Sequence, residues 1–81
     1  VKNIKELDVS NSNITSLAGI EYFASLEQLN CSHNKLTELD LAKNINLKTI
    51  DVSCNELKTL DLSHNPLVTE VNVDTDVTVT Q

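Results

Sequence analysis

The feature that most constrains this chain is an apolar pattern, L-x-x-L-x-L-x-x-N-x-L, that recurs every 21 or 22 residues. Its first position falls at Ile4, Leu26, Leu47 and Val68, its fourth at Leu7, Leu29, Ile50 and Val71, and its sixth at Val9, Cys31, Val52 and Val73. A single copy cannot shelter its apolar row from water, whereas stacked copies bury the row for one another. The spacing therefore predicts a solenoid of stacked coils.

The repeats assign the whole chain to one domain, residues 1–81. Its coils span about residues 4–25, 26–46, 47–67 and 68–81. The last coil is degenerate, because its eleventh position is Thr78 where the earlier coils have Ile14, Leu36 and Leu57. In each coil the alternation ELDVS, QLNCS, TIDVS or EVNVD predicts a short strand with one buried face. Stacking places these strands side by side in a parallel ladder.

The return half of each coil forms the convex side, and its pattern differs between coils. LTELDLAKN and LKTLDLSHN repeat a smaller version of the main pattern, which predicts an extended or turn-like convex side in the second and third coils. In the first coil Leu17, Ile20 and Phe23 have helical spacing. We therefore expect one short helical or 3₁₀ turn there.

The ninth position is Asn34 in the second coil and Asn55 in the third, where the chain leaves the strand and turns. An inward amide offers both donors and an acceptor to backbone groups that need partners. We therefore expect these two side chains to form a hydrogen-bonded stack inside the turn. Ser12 and Asp76 occupy the equivalent places in the outer coils, where the stack is expected to be weaker.

The segments LEQLNCSHNKLTELDLAKN and LKTIDVSCNELKTLDLSHNP resemble bacterial leucine-rich-repeat proteins of the internalin-like type, which have 21-residue repeats and a cysteine at the sixth position. The resemblance covers nearly the whole chain, although Cys31 alone keeps that cysteine. It implies an α/β-type, right-handed leucine-rich-repeat solenoid with short parallel strands on a concave face. It also implies a part of a larger surface protein of Firmicutes or Bacteroidetes, and therefore an extracellular or cell-surface location.

The composition restricts the kinds of partner. Six lysines, no arginine and twelve acidic residues give a formal charge of −6, the wrong sign for holding phosphates. We therefore expect no nucleic-acid partner. The sequence shows no signal-peptide pattern and no run of about 18 apolar residues, so we expect no direct membrane insertion. The oligomeric state is left open by these observations.

The cysteines and histidines do not predict a metal site or a disulfide. His33 and Cys54 share the eighth position in adjacent coils, but Asn11 and Thr75 complete that row and four good ligands do not assemble. Cys31 lies at an inward position and Cys54 at an outward one, so disulfide geometry is not expected. Cys31 is predicted to be a small buried apolar residue, and Cys54 an exposed free thiol.

The hydroxyl groups do not predict catalysis. Ser10, Ser32 and Ser53 line up at the seventh position without a histidine placed to activate them. A nucleophile, a base and an orienting group would have to converge in a pocket. We therefore expect no enzyme activity and no cofactor.

The outward strand positions remain as the candidate site. This predicted binding face comprises Glu6, Asp8, Ser10, Gln28, Asn30, Ser32, Thr49, Asp51, Ser53, Glu70, Asn72 and Asp74. Solenoids commonly bind partners on such curved faces, which favours a non-enzymatic module that recognises a protein, or a glycan, with a preference for basic or hydroxyl-rich partners. The face has no Trp, Tyr or Arg, the residues that dominate binding energy. A purely structural spacer or end segment that positions another domain is the alternative.

Overall fold

Six three-residue strands and one 3₁₀ turn make up the regular structure in the computed structural model, which describes residues 3–81. The first two residues of the predicted domain lie outside this description. In chain order the elements are β1 (Glu6–Asp8), the 3₁₀ turn (Ile20–Tyr22), β2 (Gln28–Asn30), β3 (Thr49–Asp51), β4 (Thr59–Asp61), β5 (Glu70–Asn72) and β6 (Thr78–Thr80).

Strands β1, β2, β3 and β5 form a four-stranded parallel sheet in that order. Its register joins equivalent positions of the repeat, so that Leu7 lies beside Leu29, Leu29 beside Ile50 and Ile50 beside Val71. The predicted parallel-strand solenoid is therefore confirmed, with about four coils. Each coil contributes one rung, and the outward side chains of the rungs share one surface.

The apolar row is buried most completely in the two middle coils. Leu26, Leu36 and Leu47 are 0% exposed, and the first-, fourth- and sixth-position residues form one cluster along the stack. Ile4 is the exception, because it is 39% exposed at the start of the first coil, and its predicted burial is wrong. In the outer coils Leu7 and Val71 are only half-buried, although they occupy the same fourth position. The reason is that the described residues pack against each outer coil on one side only.

The convex side is extended, as predicted for the second and third coils. Strands β4 and β6 form a second, two-stranded parallel sheet there, while residues 38–40 in the second coil have no regular secondary structure. The predicted helical turn of the first coil is the 3₁₀ turn Ile20–Tyr22, which buries Ile20. Gly19 precedes it with φ of 103°, a left-handed conformation that glycine adopts without steric cost.

The last coil turns earlier than the repeat spacing predicts. On the concave side Ile50 pairs with Val71, 21 residues further along the chain. On the convex side Thr59 pairs with Thr78, which is only 19 residues further along and therefore two residues earlier than the repeat predicts. The alignment of Thr78 with the eleventh position is therefore wrong, because Thr78 is exposed and Val77 packs against the core. A tight turn causes the shortening: the N–H of Val77 donates to the carbonyl of Asp74 at 3.2 Å.

Candidate functional site

A buried asparagine holds the turn that follows the outward-facing strands. The amide nitrogen of Asn34 donates to the carbonyls of Val9 at 2.9 Å and Cys31 at 3.0 Å, in two successive coils. Its carbonyl oxygen accepts from the N–H groups of Ser12 at 3.0 Å and Ile14 at 2.9 Å. One side chain thus satisfies backbone groups that the turn would otherwise leave unpaired inside the protein. The predicted role of Asn34 is confirmed.

Asn55 repeats this arrangement one coil further on. Its amide nitrogen donates to the carbonyl of Cys31 at 2.9 Å, and its oxygen accepts from the N–H of Leu36 at 3.0 Å. In the last coil both carboxylate oxygens of Asp74 accept from the N–H of Cys54 at 3.0 Å. The prediction gave this closing place to Asp76, and the structure gives it to Asp74 because the last turn is shorter.

A second pair of buried asparagines ties the coils together on the convex side. The amide nitrogen of Asn44 donates to the carbonyls of Ile20 at 2.9 Å and Phe23 at 3.2 Å, and that of Asn65 donates to Leu41 at 2.9 Å. Within the described chain, the carbonyl oxygens of both amides have no hydrogen-bond partner. The role of these two residues was not predicted from the sequence, although the closing N of LTELDLAKN and LKTLDLSHN was the available signal.

A regular outward surface lies between the pair of asparagines at the strand ends and the pair on the convex side. We call the third- and fifth-position side chains of the four-stranded sheet the concave strip, and all of them line one open concavity of about 950 Å³. The strip consists of Glu6, Asp8, Gln28, Asn30, Thr49, Asp51, Glu70 and Asn72. The backbone beneath it is fixed by the ladder and by the asparagines, so these side chains are presented at constant intervals.

Each fifth-position side chain on the first three strands also closes a turn at the end of its strand. The Oδ1 atom of Asp8 accepts from the N–H of Ser10 at 3.0 Å and from its hydroxyl at 2.7 Å. The same two bonds join Asn30 with Ser32 and Asp51 with Ser53. Aspartate and asparagine serve equally well here because both provide an Oδ1 acceptor.

The seventh-position side chains contribute less to the surface than predicted. Ser32 is only 5% exposed, and Ser10 and Ser53 are half-buried, because their hydroxyls point back to the turns. Asp74 is also half-buried and directs its carboxylate to the N–H of Cys54. The placement of this row on the open face is therefore corrected: it forms the edge of the concave strip.

The concave strip is acidic. Its carboxylates are Glu6, Asp8, Asp51 and Glu70, and among residues 3–81 no lysine or histidine lines the concavity. The hydroxyl and then the backbone N–H of Ser10 hold the pKa of Asp8 below its ordinary value of 3.8, because both bonds favour the ionised carboxylate. Asp8 therefore stays ionised at neutral pH, and a strip with these acidic residues complements a cationic partner.

The cysteines lie where the repeat register places them. Cys31 is buried and Cys54 is exposed, and both are free thiols, as predicted. Burial, and secondarily the nearby charge of Asp51, raises the pKa of the Cys31 thiol to about 12, so it stays protonated and unreactive. Among residues 3–81 no group of three or more side chains is arranged to hold a metal ion. Over the same range, no helix is both long and apolar enough to cross a membrane.

Comparison with known protein families matches nearly every coil. A family model for two copies of leucine-rich repeats matches residues 2–43, and two single-repeat models match residues 43–58 and 56–75. Human leucine-rich repeat-containing protein 36 is 47% identical over 38 residues, which cover 47% of this chain and only 5% of that protein. No solved structure matches the chain.

Proposed function

The chain belongs to the leucine-rich-repeat family, and from that premise we propose that it is a non-enzymatic module that recognises a protein partner through its concave strip. Leucine-rich repeats generally serve protein interaction. The observation that carries the proposal is the strip itself, an open sheet face with four carboxylates and, within the described part of the chain, no lysine or histidine lining it. Electrostatic complementarity of this kind speeds association and selects among partners.

We further propose that the chain is part of a larger bacterial cell-surface protein of the internalin-like type. The 21-residue spacing and the sixth-position Cys31 support this origin. The similarity to a human protein is compatible with a bacterial origin, because it extends over only 38 residues. Antibodies against the folded chain should label intact cells of the source organism, and labelling only after the cells are permeabilised would contradict a surface location.

A glycan is the second class of partner. The amides of Gln28 and Asn30 and the hydroxyl of Thr49 lie among the carboxylates of the strip and offer donors and acceptors to sugar hydroxyls. Binding to an uncharged glycan would be nearly independent of salt, whereas binding to a basic peptide would weaken as salt is added. A salt series therefore separates the two classes.

A structural spacer is the competing function. Its support is that the strip has no aromatic or arginine side chain and that its fifth-position residues already serve the turns. A spacer would need the same turns and the same asparagines, but it would not need an outward surface that complements a partner. The two functions therefore differ in one observable: whether removal of the outward charges changes any binding.

The proposal is tested by selecting displayed random peptides on the immobilised chain. The selected peptides should be basic and should lose binding to the double variant Asp8→Asn/Asp51→Asn. Asparagine keeps the Oδ1 acceptor, as Asn30 shows, so this variant should lose charge without losing its turns. The matched control is Asp40→Asn/Asp61→Asn on the convex side, where the same type of turn occurs.

The control variant should bind the selected peptides as the original chain does. Equal binding of these peptides by the concave double variant would remove the strip as the recognition surface. Urea unfolding of both variants checks that the fold is intact, and similar midpoints are expected.

A further inference from the structure

The turns at the strand ends leave a specific pattern of polar atoms on the concave strip. Because Oδ1 of Asp8, Asn30 and Asp51 is bound to a serine, the atoms left to face outward are a carboxylate oxygen, an amide nitrogen and a carboxylate oxygen. Asn72 follows with another amide nitrogen, which donates to Oδ2 of Asp51 at 3.4 Å. Acceptor and donor thus alternate from strand to strand along the fifth-position row.

The alternation determines how far apart the two negatively charged side chains of this row lie. Adjacent strands lie about 4.8 Å apart, so the backbones of Asp8 and Asp51, on β1 and β3, are about 9.6 Å apart, and their carboxylates are presented at about this interval. The second coil places Asn30 between them. A cationic ligand that contacts both carboxylates therefore needs two positive charges at nearly this spacing on one side.

One regular peptide conformation matches that spacing most closely. In a polyproline II helix, residues three apart lie on the same side and are separated by about 9.3 Å. In an extended strand, same-side residues are about 6.7 Å apart, and in an α-helix same-side residues are separated by about 6 Å when four apart and about 10.5 Å when seven apart. The spacing of the two carboxylates thus fits side chains three residues apart on a polyproline II segment.

The amides between the carboxylates fit the backbone of the same segment. A polyproline II helix makes no internal hydrogen bonds, so its carbonyls remain free to accept. The outward amide nitrogen of Asn30 lies midway between Asp8 and Asp51, where it can donate to such a carbonyl. The strip therefore offers partners for both the cationic side chains and the main chain.

We propose that the partner segment is a proline-rich peptide in the polyproline II conformation, with Lys or Arg at positions three apart, lying across the strands of the concave strip. The inference rests on the proposed function and specifies the chemistry of its partner. The concavity lacks the aromatic side chains that line other grooves for proline-rich peptides. Charge therefore carries the affinity, and binding weakens as salt is added.

The test uses two peptides of identical composition, Pro-Lys-Pro-Pro-Lys-Pro and Pro-Pro-Lys-Pro-Lys-Pro. Their lysines are three and two residues apart, so only the first peptide places both on one side. Titrations followed by NMR amide shifts at low salt should show about two- to fivefold tighter binding of the first peptide, the effect of one additional exposed ion pair. The largest shifts should come from the amides of Ser10 and Ser53, next to the two aspartates.

Substitutions identify which carboxylates cause the preference for the first peptide. Asp8→Asn or Asp51→Asn should each remove the preference for the first peptide and leave the second peptide's affinity within about twofold, because the second peptide uses one carboxylate at a time. The convex variant Asp61→Asn should retain the full preference. Asparagine preserves the turn in each case, so a lost preference reports the lost charge.

The outcomes separate this inference from the proposed function. Equal affinity of the two peptides, with both weakened by Asp8→Asn and Asp51→Asn together, would overturn the polyproline II geometry and leave recognition by the strip in place. If neither peptide binds, or if no concave substitution changes their affinities, the inference and the role of the acidic strip fall together.

Discussion

At the scale of single residues, the eighth position of each of the first three coils carries an unusual backbone. Asn11, His33 and Cys54 have φ of 54°, 56° and 57°, in the left-handed region that only glycine and, less readily, asparagine adopt at low cost. Cys54 and His33 are therefore strained, and Asn11 is better suited to the same conformation. The first three coils share this backbone, which redirects the chain as it leaves the strand.

We expect Cys54→Asn to stabilise the protein by about 0.5–1 kcal/mol, since asparagine lowers the cost of the left-handed conformation. Urea unfolding at neutral pH measures the change. Cys54→Ser is the matched control: it removes the exposed thiol and keeps an ordinary side chain in the strained conformation, so its midpoint should not move. A gain of equal size in both variants would attribute the effect to the thiol and not to the backbone.

At the scale of elements, strands β1, β2, β3 and β4 are each followed by a turn that an aspartate or asparagine side chain closes. The turns occur on both sides of the coil: Asp8 accepts from Ser10 at the end of β1, and Asp61 accepts from the N–H of Ser63 at 2.8 Å at the end of β4. Hydrogen bonds to the serines, side chain first and then backbone, hold the pKa of both carboxyls below 3.8. The turns after β1 and β4 are thus most stable when Asp8 and Asp61 are ionised.

A lowered folded-state pKa gives a definite pH dependence. The contribution of each carboxylate is fully present above its unfolded value of about 3.8 and is lost as the pH falls through the lower, folded value. The urea midpoint should therefore fall between about pH 5 and pH 2. Asp8→Asn and Asp61→Asn should each reduce this fall, because asparagine keeps the acceptor and does not titrate. A fall of unchanged size in both variants would show that other carboxyls cause it.

At the scale of the whole molecule, stability depends on how many neighbours each coil has. Leu29 and Leu7 occupy the same position of the repeat, yet Leu29 is 2% exposed and Leu7 is half-buried. The second coil is packed on both sides, whereas the first is packed on one side by the described residues. In such a stack the free energy of unfolding is roughly a sum of contacts between adjacent coils.

We expect Leu29→Ala to cost about 3 kcal/mol and Leu7→Ala about half as much, because the first substitution leaves a cavity between two neighbours and the second opens a site already reached by water. Urea denaturation of the two variants measures the cost of the same leucine-to-alanine substitution in the two coils. Equal losses in the free energy of unfolding would mean that a leucine contributes as much in the outer coil as in the inner one, contrary to nearest-neighbour packing.

The sequence by itself determined the coil spacing, the buried row, the roles of Asn34 and Asn55 and the 3₁₀ turn. These features follow from periodicity and residue type, because a row of apolar side chains at constant intervals has one arrangement that removes all of it from water. The register confirms this for Leu29 and Ile50, which lie side by side.

Only the tertiary structure decided which polar groups face outward. The shortened turn between Asp74 and Val77, the burial of Ser32 and the convex role of Asn44 each depend on where backbone donors and acceptors lie after the coils have stacked. The repeat places a polar side chain on a face or in a turn, but the backbone group that it binds is whichever one the turn leaves unpaired. The repeat pattern therefore determined which residues form the concave strip, and the folded turns decided which of their polar atoms bind the backbone.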